Sequence, residues 1–427
     1  MALALSNINN TLTRIRLDFT TCQQIPVIVT IGDLLYVCTN VTDLQYKSLS
    51  SFDDAIGDLS YTEQHQALLD IQITVRPRSV SASAITPLLQ RCKKLHRIIL
   101  DGCAPDVLDV VDNSTYCSNL QIFGYNCKHS LPAALVKSSK AAQPIASGLR
   151  AFYTENVNEK EEGENVLRVL RRNAATLETV HVKELRNDSW NALAQTYLNL
   201  NLENLERLVY ESADRDTLQP VLIQAISAST KLSHLAVQSP GSLLPLAQTL
   251  SALQQPVEVL KLSDCYAPPA DYMNLVNLFN VYAALSPSPA TTRAFREVSF
   301  LDCESLTDAT LTALAKIDSL KNITLGYLDG LSTHGILAFF MSLRDGVESI
   351  KLIGMGAITD EHIIALGSLK GLKRIHMEEL HEVTDQGLND MVDKAPVLCN
   401  LTFIDCSSTS QAAIIYAKRR IRIVQTE

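Results

Sequence analysis

The chain has 427 residues, 46% of them hydrophobic and 19% charged, with a formal net charge of -9. Those proportions exclude wholesale disorder, and the acidic balance argues against a nucleic-acid-coating protein, which needs a basic face. No apolar run approaches the roughly 18 residues of a membrane span, and the opening "MALALSNINN" lacks the basic start of a secretory signal.

In chain order, one short motif recurs from end to end: L-x-x-L-x-L, with other large apolar residues allowed at each place. It starts at Leu12, Val41, Leu68, Leu95, Leu120, Leu149, Leu177, Leu205, Leu232, Val257, Phe295, Leu320, Val347, Leu372 and Leu398. Thirteen of the fourteen steps are 25 to 29 residues, and the exception is the 38 from Val257 to Phe295. Each motif predicts a short strand that buries its second and third apolar positions on one face. Segments such as "TDATLTALAKI" and "TDEHIIALGSL" follow with helical apolar spacing, and their Thr and Asp are placed to cap free N–H groups. A lone copy cannot bury its apolar face, but stacked copies share a continuous core. The predicted fold is therefore α/β, a solenoid of about 15 strand-helix repeats with a curved parallel sheet, as one domain over 1–427.

Three stretches depart from the plain repeat. "ENVNEKEEGENVLRVLRR" begins with carboxylates and ends with arginines, which suits the helix dipole and predicts a solvated helix. The long step holds an insertion over 266–294, read as a loop, a helix near Tyr272 to Leu285 and a Pro/Ser-rich connector; an elongated repeat helix is favoured over a binding loop. The region 407–427 predicts a C-terminal helix, "SQAAIIYAKRR", and a half-repeat strand in "IRIVQTE" that cap the array.

The ten cysteines contain no C-x-x-C and no histidine partners at zinc-like spacing. Cys103, Cys265, Cys303 and Cys406 stand three residues after the last apolar strand position, and Cys38, Cys92 and Cys117 three before the first. Repeat-locked positions predict packing, a role that suits a small buryable thiol. The expectation is an intracellular chain with reduced thiols, cytoplasmic or nuclear. There is no phosphate loop, G-x-S-x-G or H-E-x-x-H. His181, His234 and His376 come from separate repeats and read as surface residues. No catalytic site, metal or cofactor is expected.

A repeat sheet is a broad preformed surface for another protein. Side chains between the buried strand positions, and just after them, should face outward. In the C-terminal half these are Lys261, Ser299, Leu301, Thr324, Lys351, Ile353, His376, Glu378, Thr402 and Ile404, with Tyr327 and Met355 slightly further on. Leu301, Ile353 and Ile404 occupy the same place in alternate repeats and predict one apolar patch.

The copies "FREVSFLDCESLTDATL", "VESIKLIGMGAITDEHI" and "LKRIHMEELHEVTDQGL" resemble the cysteine-containing class of leucine-rich repeats, in the ribonuclease-inhibitor-like superfamily. As fold the resemblance covers nearly the whole chain; as subclass it covers the last third. That subclass is typical of F-box leucine-rich-repeat proteins, the substrate receptors of Skp-cullin-F-box ubiquitin ligases, whose repeats curve into a horseshoe around the substrate. The resemblance implies a protein substrate or regulatory partner, with a Skp adaptor and cullin if an F-box lies upstream. From charge and the lack of a long apolar run, no nucleic acid and no membrane are expected as partners, and a monomer is expected outside its complex. No F-box is visible, because the first repeat begins at Leu12 and no Leu-Pro-x-Glu start occurs elsewhere. "MALALSNINN" is a thin end cap, consistent with an upstream segment or a partner on that end. The alternative is a free-standing repeat scaffold or regulatory binding protein.

Overall fold

The computed structural model describes residues 11–20, 29–59, 64–111, 118–127, 148–155, 160–185, 200–212, 220–285 and 293–426. They fall in two compact units that divide between Leu205 and Glu206.

The first unit carries strands β1 (Arg14–Asp18), β2 (Asp43–Lys47), β3 (Asp70–Thr74), β4 (Arg97–Asp101), β5 (Ile122–Tyr125), β6 (Ala151–Thr154) and β7 (Thr179–Leu185). Each pairs in parallel with the next in chain order. The second unit carries β8 (Arg207–Ser212), β9 (His234–Gln238), β10 (Val259–Ser263), β11 (Glu297–Leu301), β12 (Asn322–Gly326), β13 (Ser349–Ile353), β14 (Arg374–Glu378), β15 (Asn400–Ile404) and β16 (Ile423–Thr426), again parallel and sequential. Among the described residues, strand, turn, helix and return to the neighbouring strand recur in both units. The fold is the leucine-rich-repeat α/β solenoid that the period predicts.

The motif leucines explain the packing. Val298 and Phe300 of β11, Ile323 and Leu325 of β12, and Ile350 and Leu352 of β13 are buried beneath the helices. The insertion is a helix, Pro269–Ala284, packed between the helices Leu244–Ala252 and Asp308–Leu314. Its buried Tyr272, Leu275, Leu278, Phe279 and Tyr282 make it an elongated repeat helix; the connector 286–292 lies outside the described residues. Helix Lys160–Arg172 is not a plain solvated helix. It buries Glu162, Asn165, Val166, Leu167, Val169 and Leu170, and the Tyr125 hydroxyl donates to Glu162 at 3.1 Å.

Each strand of β9 to β15 ends the same way. Ser239, Asp264, Asp302, Tyr327, Gly354, Glu379 and Asp405 follow the seven strands, all with φ between 50° and 56°. A non-glycine residue there costs about 1–2 kcal/mol, and the ladder offsets it. From Asp264 to Glu379, each of these N–H groups donates to the last carbonyl of the next strand, at 2.9 to 3.0 Å. The next residue drops into the core. It is Cys265, Cys303 or Cys406 in three repeats and Leu328, Met355 or Leu380 in others, all buried. The thiols donate to the carbonyl two residues back, at 3.5 Å for Cys265 and Cys303 and 3.3 Å for Cys406. Cys38 and Cys92 are buried helix C-cap residues; Cys117 lies outside the described residues.

The Thr-Asp signature caps as expected at Thr359, which forms a capping box with His362, and works differently in two other repeats. Thr307 and Thr384 occupy N-cap positions without a side-chain cap bond. The aspartate instead crosses to the following repeat. Asp308 accepts from the Ser332 N–H at 3.0 Å and its hydroxyl at 2.6 Å. Asp360 does the same for Thr384, and Asp385 for Ser410. The two bonds from Ser410 hold the Asp385 carboxyl below its ordinary value of 3.8. Because the folded value is depressed, the stabilisation is fully present above the unfolded value and is lost as pH falls through the folded one. An Asp385→Asn variant is expected to show a shallower loss of melting temperature between about pH 5 and pH 2 than the parent. Parallel acid limbs would sink this account.

Candidate functional site

The face of β10 to β15 opposite the helices forms a grid, since alternate residues of a strand share a face. Cross-strand register fixes three rows. The first runs Val259, Glu297, Asn322, Ser349, Arg374, Asn400; the second Lys261, Ser299, Thr324, Lys351, His376, Thr402; the third Ser263, Leu301, Gly326, Ile353, Glu378, Ile404. Strands about 4.8 Å apart make every neighbour in a row a contact partner.

The second row is the row that alternation predicts, with one exception in exposure. Ser299 is 7% exposed and so contributes little surface. The third row does not form the expected apolar patch. A Cβ at Gly326 would lie 2.8 Å from Leu301 Cδ2 and 3.1 Å from Ile353 Cβ. The missing side chain lets these two residues approach each other over Gly326, and Ile353 is only 8% exposed. Glu378 stands between Ile353 and Ile404. Met355 is 3% exposed because it takes the cysteine place after the left-handed turn. Tyr327 is itself a left-handed residue, 42% exposed, and its hydroxyl donates to Glu379 at 3.2 Å.

The first row was missed, although the same alternation carried two residues back would have found it. Together the first two rows line a recess of about 370 Å³, with Glu297, Asn322, Thr324, Ser349, Lys351, Arg374, His376, Asn400 and Thr402 on its walls. Its charges are largely paired. Lys261 holds Glu297 at 2.7 Å. Glu378 accepts from His376 Nε2 at 2.9 Å and meets Lys351 at 3.5 Å, and these contacts hold its carboxyl below the usual range. At the strand entrance Lys321 and Lys373 grip Glu348 at 2.8 and 3.0 Å and hold it down to about 2.

Three other histidines, His181, His234 and His362, are partly or wholly buried. His234 Nδ1 lies 2.7 Å from the Ser233 hydroxyl, and burial lowers its affinity for a proton. His181 packs against Tyr153 with ring centroids 5.9 Å apart, and burial lowers it to about 4. The fully buried His362 donates from Nε2 to the Thr333 carbonyl at 2.9 Å and accepts from the Thr359 N–H at Nδ1, which fixes the orientation of its ring. Among the described residues no group of three His, Cys, Asp or Glu side chains could hold a metal ion. No helix among them is long and apolar enough to cross a membrane.

No protein-family model and no curated protein matches the sequence. Solved structures do. One is a chain from the crystal structure of a Rad7 and Elc1 complex in yeast, with a TM-score of 0.53 and 15% identity over 93% of this chain and 91% of that one. The likeness is one of fold. On this fold, β10 to β15 carry a grid of polar side chains on regular strands.

Proposed function

We propose that the chain is a non-catalytic protein-interaction module and that its partner docks on the outward face of β10 to β15. The observation that carries the reading is the recess itself. Two rows of polar side chains, held in register by parallel strands, line one concavity. Rigid strands present such groups at low entropic cost to binding. The structural neighbour, a chain from a complex of Rad7 with Elc1, agrees in kind. Substituting arginine for Thr324 and Ser349 together would fill the recess. A loss of partner affinity of at least about tenfold is expected, equal to about 1.4 kcal/mol, with an unchanged melt. Unaltered binding would remove this face from the reading.

The finer reading is substrate recognition for a Skp-cullin-F-box-type ligase, in the cytoplasm or nucleus, supported by the repeat subclass that the last third of the sequence resembles. A C-terminally tagged native product, purified under proteasome inhibition, is expected to carry a Skp adaptor and cullin. A partner complex without them would overturn the ligase reading and favour the free-standing scaffold.

A further inference from the structure

The face of β10 to β15 is not evenly charged. Glu297, Glu348 and Glu378 each already hold a cation of this chain. Arg374 holds none. It lies exposed on β14, beside Ser349 on β13 and Asn400 on β15. Neither Ser349 nor Asn400 spends its side chain on a hydrogen bond among the described residues, and the Thr324 hydroxyl is equally free. The recess therefore offers an unpaired planar guanidinium with hydroxyl and amide donors beside it. Guanidinium binds carboxylate bidentately, and such charge-assisted bonds are about twice as strong as neutral ones.

Resting on the reading that this face binds a protein, we infer that the partner presents an acidic segment, one of whose carboxylates sits in the recess on Arg374. Ser349 and Asn400 donate to the same group from the flanking strands. The paired cations around them give the segment further positive contacts without leaving this chain's own carboxylates unsatisfied. The chain carries a net charge of -9, so its long-range field does not favour an acidic segment and the attraction has to come from this recess.

The test uses the full chain and a fluorescein-labelled ten-residue glutamate peptide, read by anisotropy at low salt. Binding that weakens with added salt is expected. Arg374→Glu should weaken it at least about tenfold, and Arg374→Lys by less, since lysine keeps the charge but not the fork. Arg344→Glu is the control; Arg344 pairs with Asp318 at 3.2 Å away from the recess, and its loss should leave binding unchanged. An unaffected Arg374→Glu, an equal effect of Arg344→Glu, or equally tight binding of an oligothymidylate of the same charge would overturn the inference. If Thr324→Arg combined with Ser349→Arg abolishes native partner binding while the peptide ignores Arg374→Glu, the docking face stands and the acidic partner falls. If neither substitution matters, both fall.

Discussion

Replacing Phe279 with alanine is expected to lower the stability of the unit from Glu206 by about 3–5 kcal/mol. Phe279 is fully buried at the middle of the helix Pro269–Ala284. Its ring lies 5.8 Å from that of Phe295 and 6.2 Å from that of Phe300, and Tyr282 adds a contact to Phe295 at 5.3 Å. Aromatic side chains bury some 150–250 Å² each, and close-packed neighbours on helix and strand cannot collapse fully into the space left behind. Denaturant unfolding of the full chain reads the effect, with Asn280→Ala as the exposed comparison. A loss below about 1 kcal/mol, typical of surface sites, would mean that this helix is a separable loop.

The second large effect concerns contact between repeats. A Cβ at Gly335 would lie 2.0 Å from the Asp308 carboxyl carbon, because the carboxylate that serves Ser332 rests on the first turn of the next helix. Gly387 meets Asp360 in the same way. Gly335→Ala is expected to cost about 1–3 kcal/mol, the usual penalty for overpacking, even though alanine favours a helix by up to about 1 kcal/mol. Combining it with Asp308→Ala separates the causes. In that background the alanine should become neutral or stabilising, giving a coupling energy of at least about 1 kcal/mol. Additive losses would place the cost elsewhere.

What the sequence disclosed and what it hid follow from the range of each interaction. The repeat was legible because burial alternates within a single strand and returns every 25 to 29 residues, so each copy carries the signal alone. The second row of the grid follows from the same alternation. The cysteine place was legible as a position and not as a geometry: Tyr327 and Glu379 adopt the left-handed turn without a glycine to announce it. Features that depend on a neighbouring repeat were hidden. Ile353 looks outward in its own strand, and only the glycine across from it at 326 lets it be covered. Asp360 resembles a cap for its own helix until register brings Thr384 within 2.7 Å. Arg374 drew no attention in the sequence, because only the pairing of its charged neighbours leaves it without a carboxylate partner among the described residues.

From Asp308 onward, three carboxylates, Asp308, Asp360 and Asp385, each complete the helix start of the repeat that follows, so this part of the array has a direction that the Asp271 bond to Ser242 does not share. Peeling the unit from its C-terminal side leaves Asp385 or Asp360 exposed, and water solvates a bare carboxylate well. Peeling from the other side removes the acceptor from Ser332, Thr384 or Ser410 and leaves the remaining helix with a looser first turn. The bonds are the same, but the stumps differ. Transient opening is thus biased toward the later repeats, and a partner held across several strands would act as a splint against it.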